Sequence, residues 1–533
     1  MRHRTVPAPF SRESKSTNLL NATSPQAAAQ MKEEGNNEAP PHTQGRFSLV
    51  SRCLSTTTKR AGRDSNPGYP CGYAGFQDRC FQPLSHLPRC DAIGESSSEG
   101  NANASGRHVR TTHIALMNQK SRSLATLGTT VLFGTTLLLA CASAQSPAPA
   151  PRVADESLAR GIATADSLVR DAVGKLTAGA VLVVSKDGHI VKEAAYGYAQ
   201  LNDYAMHRLQ QPVPMRTSTV FDLASVTKVM ASTNALMLLV DQGKVDVDAP
   251  VYTYLPDFRG VHLDSIRVRH LLQHSGGLVQ WQPLYYSAST KAQTYQVIRN
   301  MPLQWGVGEG RHYSDLSFML IGYIIERVSG QSLDAFLAQL YRPLGLPTIG
   351  FLPKTRGITE LASTEQGNVY EKHMVYDSTF AYKYRGDPTS WNGWRQYVLS
   401  GEVDDGNSWY ANGGVAGHAG LFATARELSV LLDMLVNRGA SGGRQVIKAE
   451  TVKRFLTRDE YDNYLGWQRP SYLPEGSFSH TGFTGTYVLG VPSQGLSLVL
   501  LTNRQNMGTN AQGYFPNLAP LQEAVAKAIV LGK

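Results

Sequence analysis

Apolar residues recur at helical spacing over residues 154–174, carried by Leu158, Ile162, Leu168 and Val169. The pattern then changes period. Ala180-Val-Leu-Val-Val184 is a short apolar run, Lys186-Asp-Gly188 is a turn, and His189 to Tyr198 reads as the returning strand of a hairpin. Helical patterns dominate the middle of the chain. One starts at Ser225 and runs to a Gly243 cap, and another lies around Val268 to His274. A third runs from Asp315 to Val328 with a cap near Gly330, followed by Leu333 to Tyr341 and, later, Ala425 to Val436. Residues 353–412 are rich in glycine and aromatics, show weak periodicity and read as a long excursion. Period two returns in Phe478–Phe483, Thr484–Val491 and Leu496–Asn503, and a helix from Leu518 to Val530 closes the pattern. The expected fold class is α+β. One antiparallel sheet is built from both chain ends and flanked by helices, with a mainly helical lobe against it and a cleft between sheet and lobe.

The first 152 residues belong to none of this. Residues 1–116 are rich in Ser, Asn, Arg, Pro and Gly without sustained period, which reads as a disordered extension. The run from Arg63 to Cys80 resembles conceptually translated stable-RNA sequence, so an over-extended reading frame is the other reading. From Met117, Lys120 and Arg122 precede an apolar run from Leu124 to Ala140 and then Cys141-Ala-Ser-Ala144. This has the form of an export signal over 117–144 with cleavage after Ala144. Leu138-Leu-Ala-Cys141 equally fits a lipoprotein signal, which would anchor the protein to a membrane through Cys141; both readings stay open. Residues 145–152, with Ser146-Pro-Ala-Pro-Ala-Pro151, read as a stiff linker, and 153–533 as the folded body. The expected location is exported, periplasmic or in the cell envelope.

Charge follows the same division. The formal net charge is +9, but residues 1–116 hold 14 basic and 9 acidic side chains, and 123–533 hold 35 and 33. A near-neutral body gives no basis for a nucleic-acid partner. All five cysteines (Cys53, Cys71, Cys80, Cys90 and Cys141) precede the body. That excludes a disulfide, a cysteine nucleophile and a cysteine-ligated metal there. His270 and His274 have i, i+4 spacing, but no Glu follows His270 and no third ligand stands out, so a packing role is expected. Neither metal nor cofactor is anticipated.

Chemistry enters at Ser225-Val-Thr-Lys228. On a helix, residues three apart share a face with roughly 5–6 Å between Cβ atoms. A serine hydroxyl is a weak nucleophile until a base takes its proton, and lysine becomes such a base where burial lowers its pKa. A helix N-terminus adds partial positive charge where an oxyanion develops. Two more motifs fall where a cleft needs them: Tyr313-Ser-Asp315 at a helix start, and His480-Thr481-Gly482 on the first late strand. Gly482, Gly485 and Gly490 allow close approach to the strand backbone. No serine of the body sits in G-x-S-x-G, which argues against an α/β-hydrolase elbow. Residues 413–420 lack the G-K-[ST] ending of a phosphate loop and read as a tight backbone approach, with His418 a candidate for the pocket wall.

The ordered set S-x-x-K, Y-S-D and H-T-G resembles the triple signature of the serine β-lactamase and penicillin-binding-protein superfamily. The tyrosine variant points to the class C-like branch, which also holds D-alanyl-D-alanine peptidases and esterases. Supporting flanks are Ile266-Arg-Val-Arg-His270-Leu-Leu-Gln-His274-Ser-Gly-Gly-Leu278, Ile321-Gly-Tyr-Ile-Ile-Glu-Arg327 and Gly413-Gly-Val-Ala-Gly-His-Ala-Gly420. The resemblance implies Ser225 as the acylated nucleophile, Lys228 as its base partner and Tyr313 as proton relay to the leaving group. It implies an oxyanion hole from the N–H groups of Ser225 and Phe483, and a substrate wall of Asp315, His480, Thr481, Gly482 and Phe483.

Two positions depart from the antibiotic-hydrolysing pattern. Asp315 stands where asparagine is usual, and an ionised carboxylate cannot donate to a substrate carbonyl. His480 stands where lysine is usual, and histidine is mostly neutral at pH 7. The expected activity is that of an acyl-enzyme serine hydrolase on a small-molecule or peptide substrate, including cell-wall fragments. Esterase or D-amino-acid peptidase chemistry is favoured over efficient β-lactam hydrolysis. The plain alternatives are Ser225 as an N-cap, Tyr313 as a helix-start aromatic, Asp315 as a cap or first-turn acid, and His480 as a solvent-facing strand residue. The rival for the whole chain is a non-catalytic envelope binding or scaffolding module of the same fold.

Overall fold

Strand β1 (Gly179–Lys186) is buried along both faces. Val181 and Val183 enter one apolar cluster, whereas Ala180, Leu182 and Val184 enter another. Successive side chains of a strand point to opposite faces, so an all-apolar strand needs a packed layer on each side. The computed structural model describes residues 153–532, and those layers are helical. The expectations for residues 1–116, for the signal at 117–144 with Cys141, and for the linker at 145–152 lie outside the described residues.

β1 pairs with β2 (His189–Asn202) through a two-residue turn in which Asp187 and Gly188 both take positive φ, 52° and 78°. That is the turn whose twist matches a hairpin. β3 (Arg208–Pro214), β4 (Phe478–Thr481), β5 (Tyr487–Val491) and β6 (Leu496–Thr502) complete an antiparallel sheet in the order β4-β5-β6-β1-β2-β3. The chain ends meet where β1 lies along β6, Ala180 opposite Thr502 and Lys186 opposite Leu496. The two-plus-three strand expectation therefore lacked β3. Its sequence, Arg-Leu-Gln-Gln-Pro-Val-Pro, carries two prolines and is largely exposed, so it is an edge strand with no apolar alternation to read.

Helices Val153–Ala172 and Ala519–Leu531 cover one face of the sheet. Ala425–Val436 covers the other and joins a larger core with Asn234–Asp241, Asp315–Ser329 and Leu333–Tyr341. Outside the 353–412 excursion two helices were not anticipated, Lys291–Asn300 and Ala449–Phe455. The first buries only Thr294 and Ile298, too few positions to leave a stripe. The 353–412 excursion is partly ordered as well. Ser363–Gln366 pairs with Val398–Ser400, and helices Val369–Tyr376 and Gly406–Asn412 lie within it. Its aromatics pack with Trp281 and Phe515, against Phe483. Among the described residues no helix is long and apolar enough to cross a membrane.

Candidate active site

Ser225 follows a short strand, Phe221–Asp222, and a sharp turn. Ala224 takes φ +45°, a left-handed conformation that costs a non-glycine residue energy and persists only where its surroundings enforce it. Asp222 supplies that enforcement, accepting the N–H of Ala224 at 2.9 Å and of Asp404 at 2.6 Å. Thr484 and Thr486 donate their hydroxyls to the carbonyls of Asp222 and Leu223, tying this turn to the β4–β5 connection. The helix opens after Ser225 and passes into a π-helical stretch, Lys228–Thr233. π segments are rare and collect at functional sites. Ser232 anchors this one by donating to the carbonyl of Gly417 at 2.6 Å. Gly417 is glycine of necessity: a Cβ there would lie 2.1 Å from the Phe318 carbonyl oxygen. The 413–420 loop is thus the close backbone approach expected of it.

Lys228 is 0 % exposed. Its Nζ lies 2.9 Å from Ser225 Oγ, 3.2 Å from the carbonyl oxygen of His418 and 2.7 Å from Asp315 Oδ1. An ammonium has three N–H donors and no acceptor; here it donates to two oxygens and forms an ion pair with a third. Burial opposes the charge most strongly, but Asp315 and then Tyr313 outweigh it, and the Lys228 pKa is raised. The expectation of a lysine made basic through a lowered pKa is therefore corrected. Burial acts in the expected direction and is overridden by a carboxylate.

Tyr313 precedes the Asp315–Ser329 helix, whose N-cap is Ser314, accepting from the Ser317 N–H. Asp315 is consequently a first-turn acid rather than the cap, and its carboxylate turns to Lys228. The Lys228 ammonium stands 4.9 Å from the centre of the Tyr313 ring. Burial raises the Tyr313 pKa, while Lys228 and Ser225 pull against it, so the phenol keeps its proton at neutral pH. His274 packs its ring 4.3 Å from that of Tyr313 and accepts the Ser314 N–H on Nδ1 at 3.0 Å. This contact gives His274 the packing role expected of it; His270 accepts the Arg267 N–H at its helix start.

Ser225, Tyr313, Asp315, Thr481, Gly482 and Phe483 line one cavity of about 230 Å³. Lys228 lies directly behind Ser225. His480 is not in the cavity wall. It is 0 % exposed, neither solvent-facing nor open to substrate, and its ring stands 6.3 Å from that of Tyr313. Burial first, then Lys228, push its pKa down to about 3, so it is neutral. The backbone N–H groups of Ser225 and Phe483 donate to no group among the described residues. The Phe483 peptide is held by Arg504, whose Nε donates to the Phe483 carbonyl at 2.9 Å. Sequence reasoning missed most of the remaining wall, including Glu365, Tyr370, Glu371, Asp404, Asp405 and Arg504. His418 does line it, its Nε2 2.8 Å from Asp405 Oδ1.

A family model described as Beta-lactamase matches residues 165–521. The chain belongs to the beta-lactamase family. It is 34% identical over 357 residues to an N-acetylmuramyl-L-alanine amidase of Bacillus subtilis, a match covering 62% of this chain and 77% of the relative. It is equally 34% identical, over 353 residues, to a D-alanyl-D-alanine carboxypeptidase-like protein of Escherichia coli, covering 61% and 77%. Among solved structures, a penicillin-binding-protein homologue from Caulobacter crescentus superposes with TM-score 0.52 at 20% identity, over 70% of this chain and 98% of that one. EstCE1, a hydrolase with promiscuous acyltransferase activity, superposes with TM-score 0.50 at 21% identity, over 71% and 100%. These likenesses show the fold: a beta-lactamase-type antiparallel sheet with flanking helices. Beta-lactamase-family membership and the named relatives make the protein a serine hydrolase of this superfamily.

Proposed function

We propose that this protein cleaves an amide or ester bond of a peptide-like, cell-wall-derived substrate through an acyl-enzyme at Ser225. The observation that carries the reading is the buried Lys228 ammonium, which lies between Ser225 Oγ and Asp315 Oδ1. As Ser225 Oγ attacks the carbonyl carbon, Lys228 hands a proton to Asp315 and takes the serine proton. The N–H groups of Ser225 and Phe483 receive the developing oxyanion. Tyr313, holding its proton, donates it to the leaving nitrogen or oxygen, and the proton on Asp315 returns to Tyr313 through Lys228. Net, the serine proton leaves with the first product, and water attacking the acyl carbon reverses the sequence.

Efficient β-lactam hydrolysis is not favoured. The Asp315 carboxylate is engaged by Lys228 and cannot donate to a substrate amide carbonyl, and His480 brings no charge to a substrate carboxylate. The names of the two curated relatives support amide over ester bonds. The signal-like stretch at 117–144 supports work outside the cytoplasm. A fluorophosphonate probe is expected to label the protein, and Ser225→Ala to abolish the label; labelling that survives the substitution would refute the nucleophile. Parallel assays on a muramyl-peptide amide, a D-Ala-D-Ala peptide and p-nitrophenyl acetate then rank the bond types.

A further inference from the structure

The cavity that exposes Ser225 extends to a second wall made by the excursion, and the chemistry there is different. Glu365, Glu371, Asp404 and Asp405 all line it. Asp405 contacts the His418 imidazole, Nε2 at 2.8 Å. Glu371 is held by neutral donors, the Gly406 N–H at 2.7 Å and the Tyr285 hydroxyl at 2.9 Å. Glu365 receives the Tyr370 N–H at 3.3 Å. Asp404 receives Gln505 Nε2 on one oxygen at 2.8 Å, while its Oδ1 has no partner although the residue is only 6 % exposed. Two guanidinium groups lie nearby. Arg504 donates to the carbonyls of Phe483 and Pro516, and Arg395 to those of Val403 and Asp404.

A second observation, outside the carboxylates, points the same way. His418 is 1 % exposed, lines the cavity and leaves Nδ1 without a partner. With Nε2 donating to Asp405, Nδ1 is an acceptor. Gln505, behind Asp404, leaves its Oε1 unpaired as well. Buried polar atoms are almost always paired, and the unpaired atoms of Asp404, His418 and Gln505 are ones that can accept a hydrogen bond. What is missing is a donor. The rings of Tyr370 and Phe483, 4.9 Å apart, stand in the same wall and suit a cation or its alkyl stem. Burial first, and then neighbouring carboxyls, raise the pKa values of Glu365, Glu371 and Asp404, with Arg395 pulling against the rise at Glu365 and Asp404 and Arg504 at Asp404.

We propose that this wall is a subsite for a primary alkylammonium group of the substrate, an α-amine or a side-chain amine. The proposal rests on the reading of the cavity as a hydrolase site and adds the charge of what it takes. An ammonium offers three N–H donors and no acceptor, the complement of what the wall presents.

Two matched pairs of substrates separate the sources of the amine. p-Nitrophenyl 6-aminohexanoate against p-nitrophenyl heptanoate tests a side-chain amine. D-alanine p-nitroanilide against isobutyryl p-nitroanilide tests an α-amine. In one pair or both, kcat/KM is expected to favour the ammonium by about tenfold or more, the scale of one charge-assisted hydrogen bond. Asp404→Asn and Glu365→Gln are each expected to bring that ratio near one. Because it is a ratio within one variant, a general loss of activity cancels. Ratios near one in the wild type, or a preference that survives both substitutions, overturn the proposal. Calorimetry of the full chain with n-butylammonium and n-butanol reads the subsite without turnover: the ammonium alone should bind, and equal binding, or none, refutes it. If no substrate is turned over and no probe labels Ser225, the hydrolase reading fails while the calorimetry still decides the subsite.

Discussion

At the scale of single residues, Asp315 decides what Lys228 is. With a carboxylate 2.7 Å from Nζ the lysine is held as a cation, and the pair can accept a serine proton only if the carboxylate takes one in turn. Asp315→Asn removes that acceptor and leaves burial as the main influence on Lys228, so its pKa falls. At neutral pH kcat on p-nitrophenyl acetate should drop by about a hundredfold, the lower range for losing a proton acceptor. The sign of the pH response follows. In the variant the lysine itself must be the base, so kcat should climb as pH rises through the new lysine pKa. A pH profile of kcat checks this, and an Asn variant with wild-type rate and profile would remove Asp315 from the chemistry. His480 works differently. Buried, neutral and behind Tyr313, it holds a ring in place and carries no charge to the substrate.

At the scale of elements, the turn before Ser225 carries its own test. Ala224 at φ +45° costs about 1 kcal/mol, and glycine would remove that cost while adding somewhat less in unfolded-chain entropy. Ala224→Gly should therefore raise the urea midpoint slightly, and Ala224→Val, β-branched and buried, should lower it clearly. A glycine variant as unstable as the valine one would show that the turn is unstrained. The same element shows how far the chain could be read. Ser225 and Lys228 were legible because their relation is three residues of helix, and Tyr313-Ser-Asp315 because a helix start announces itself by its cap. The Ala425–Val436 helix was legible because burial on one face writes a period, and β1 and β6 because burial on both faces writes a short apolar run. β3 left no period because an edge strand faces solvent, and its prolines broke what remained. Glu365, Glu371, Asp404 and Asp405 could not be found in that way. They meet Ser225 only through contacts that span well over a hundred residues, within an excursion held by aromatic packing instead of a repeating face. The π-helical stretch at Lys228 was equally hidden, since it depends on Ser232 reaching Gly417 across the fold.

At the scale of the whole molecule, stability should depend on pH on both sides of neutrality, because the fold buries histidines whose pKa is lowered and carboxyls whose pKa is raised. His274 and His480 have pKa values pushed down, chiefly by burial. Unfolding lets them bind protons below about pH 6.5, so they destabilise the fold as pH falls and are silent above it. The carboxyls act with opposite sign. Burial raises Asp222 to about 7 and Glu371 to about 8, so the folded state keeps protons that the unfolded chain has already released. Their contribution is fully present below about pH 4 and is lost as pH rises through 7 to 8. Between pH 6.5 and 8.5 the histidines no longer contribute, and the carboxyls set the slope. The urea midpoint of the wild type should fall across that window and level off above it. Glu371→Gln keeps the shape of the side chain and an acceptor for the Gly406 N–H while deleting the titration. Its midpoint should fall by visibly less, with a difference from wild type of about 2 kcal/mol developing between the two ends of the window. Parallel curves for the two proteins would mean that Glu371 is ionised in the folded state at neutral pH. The second wall of the cavity would then be charged before any ammonium reached it.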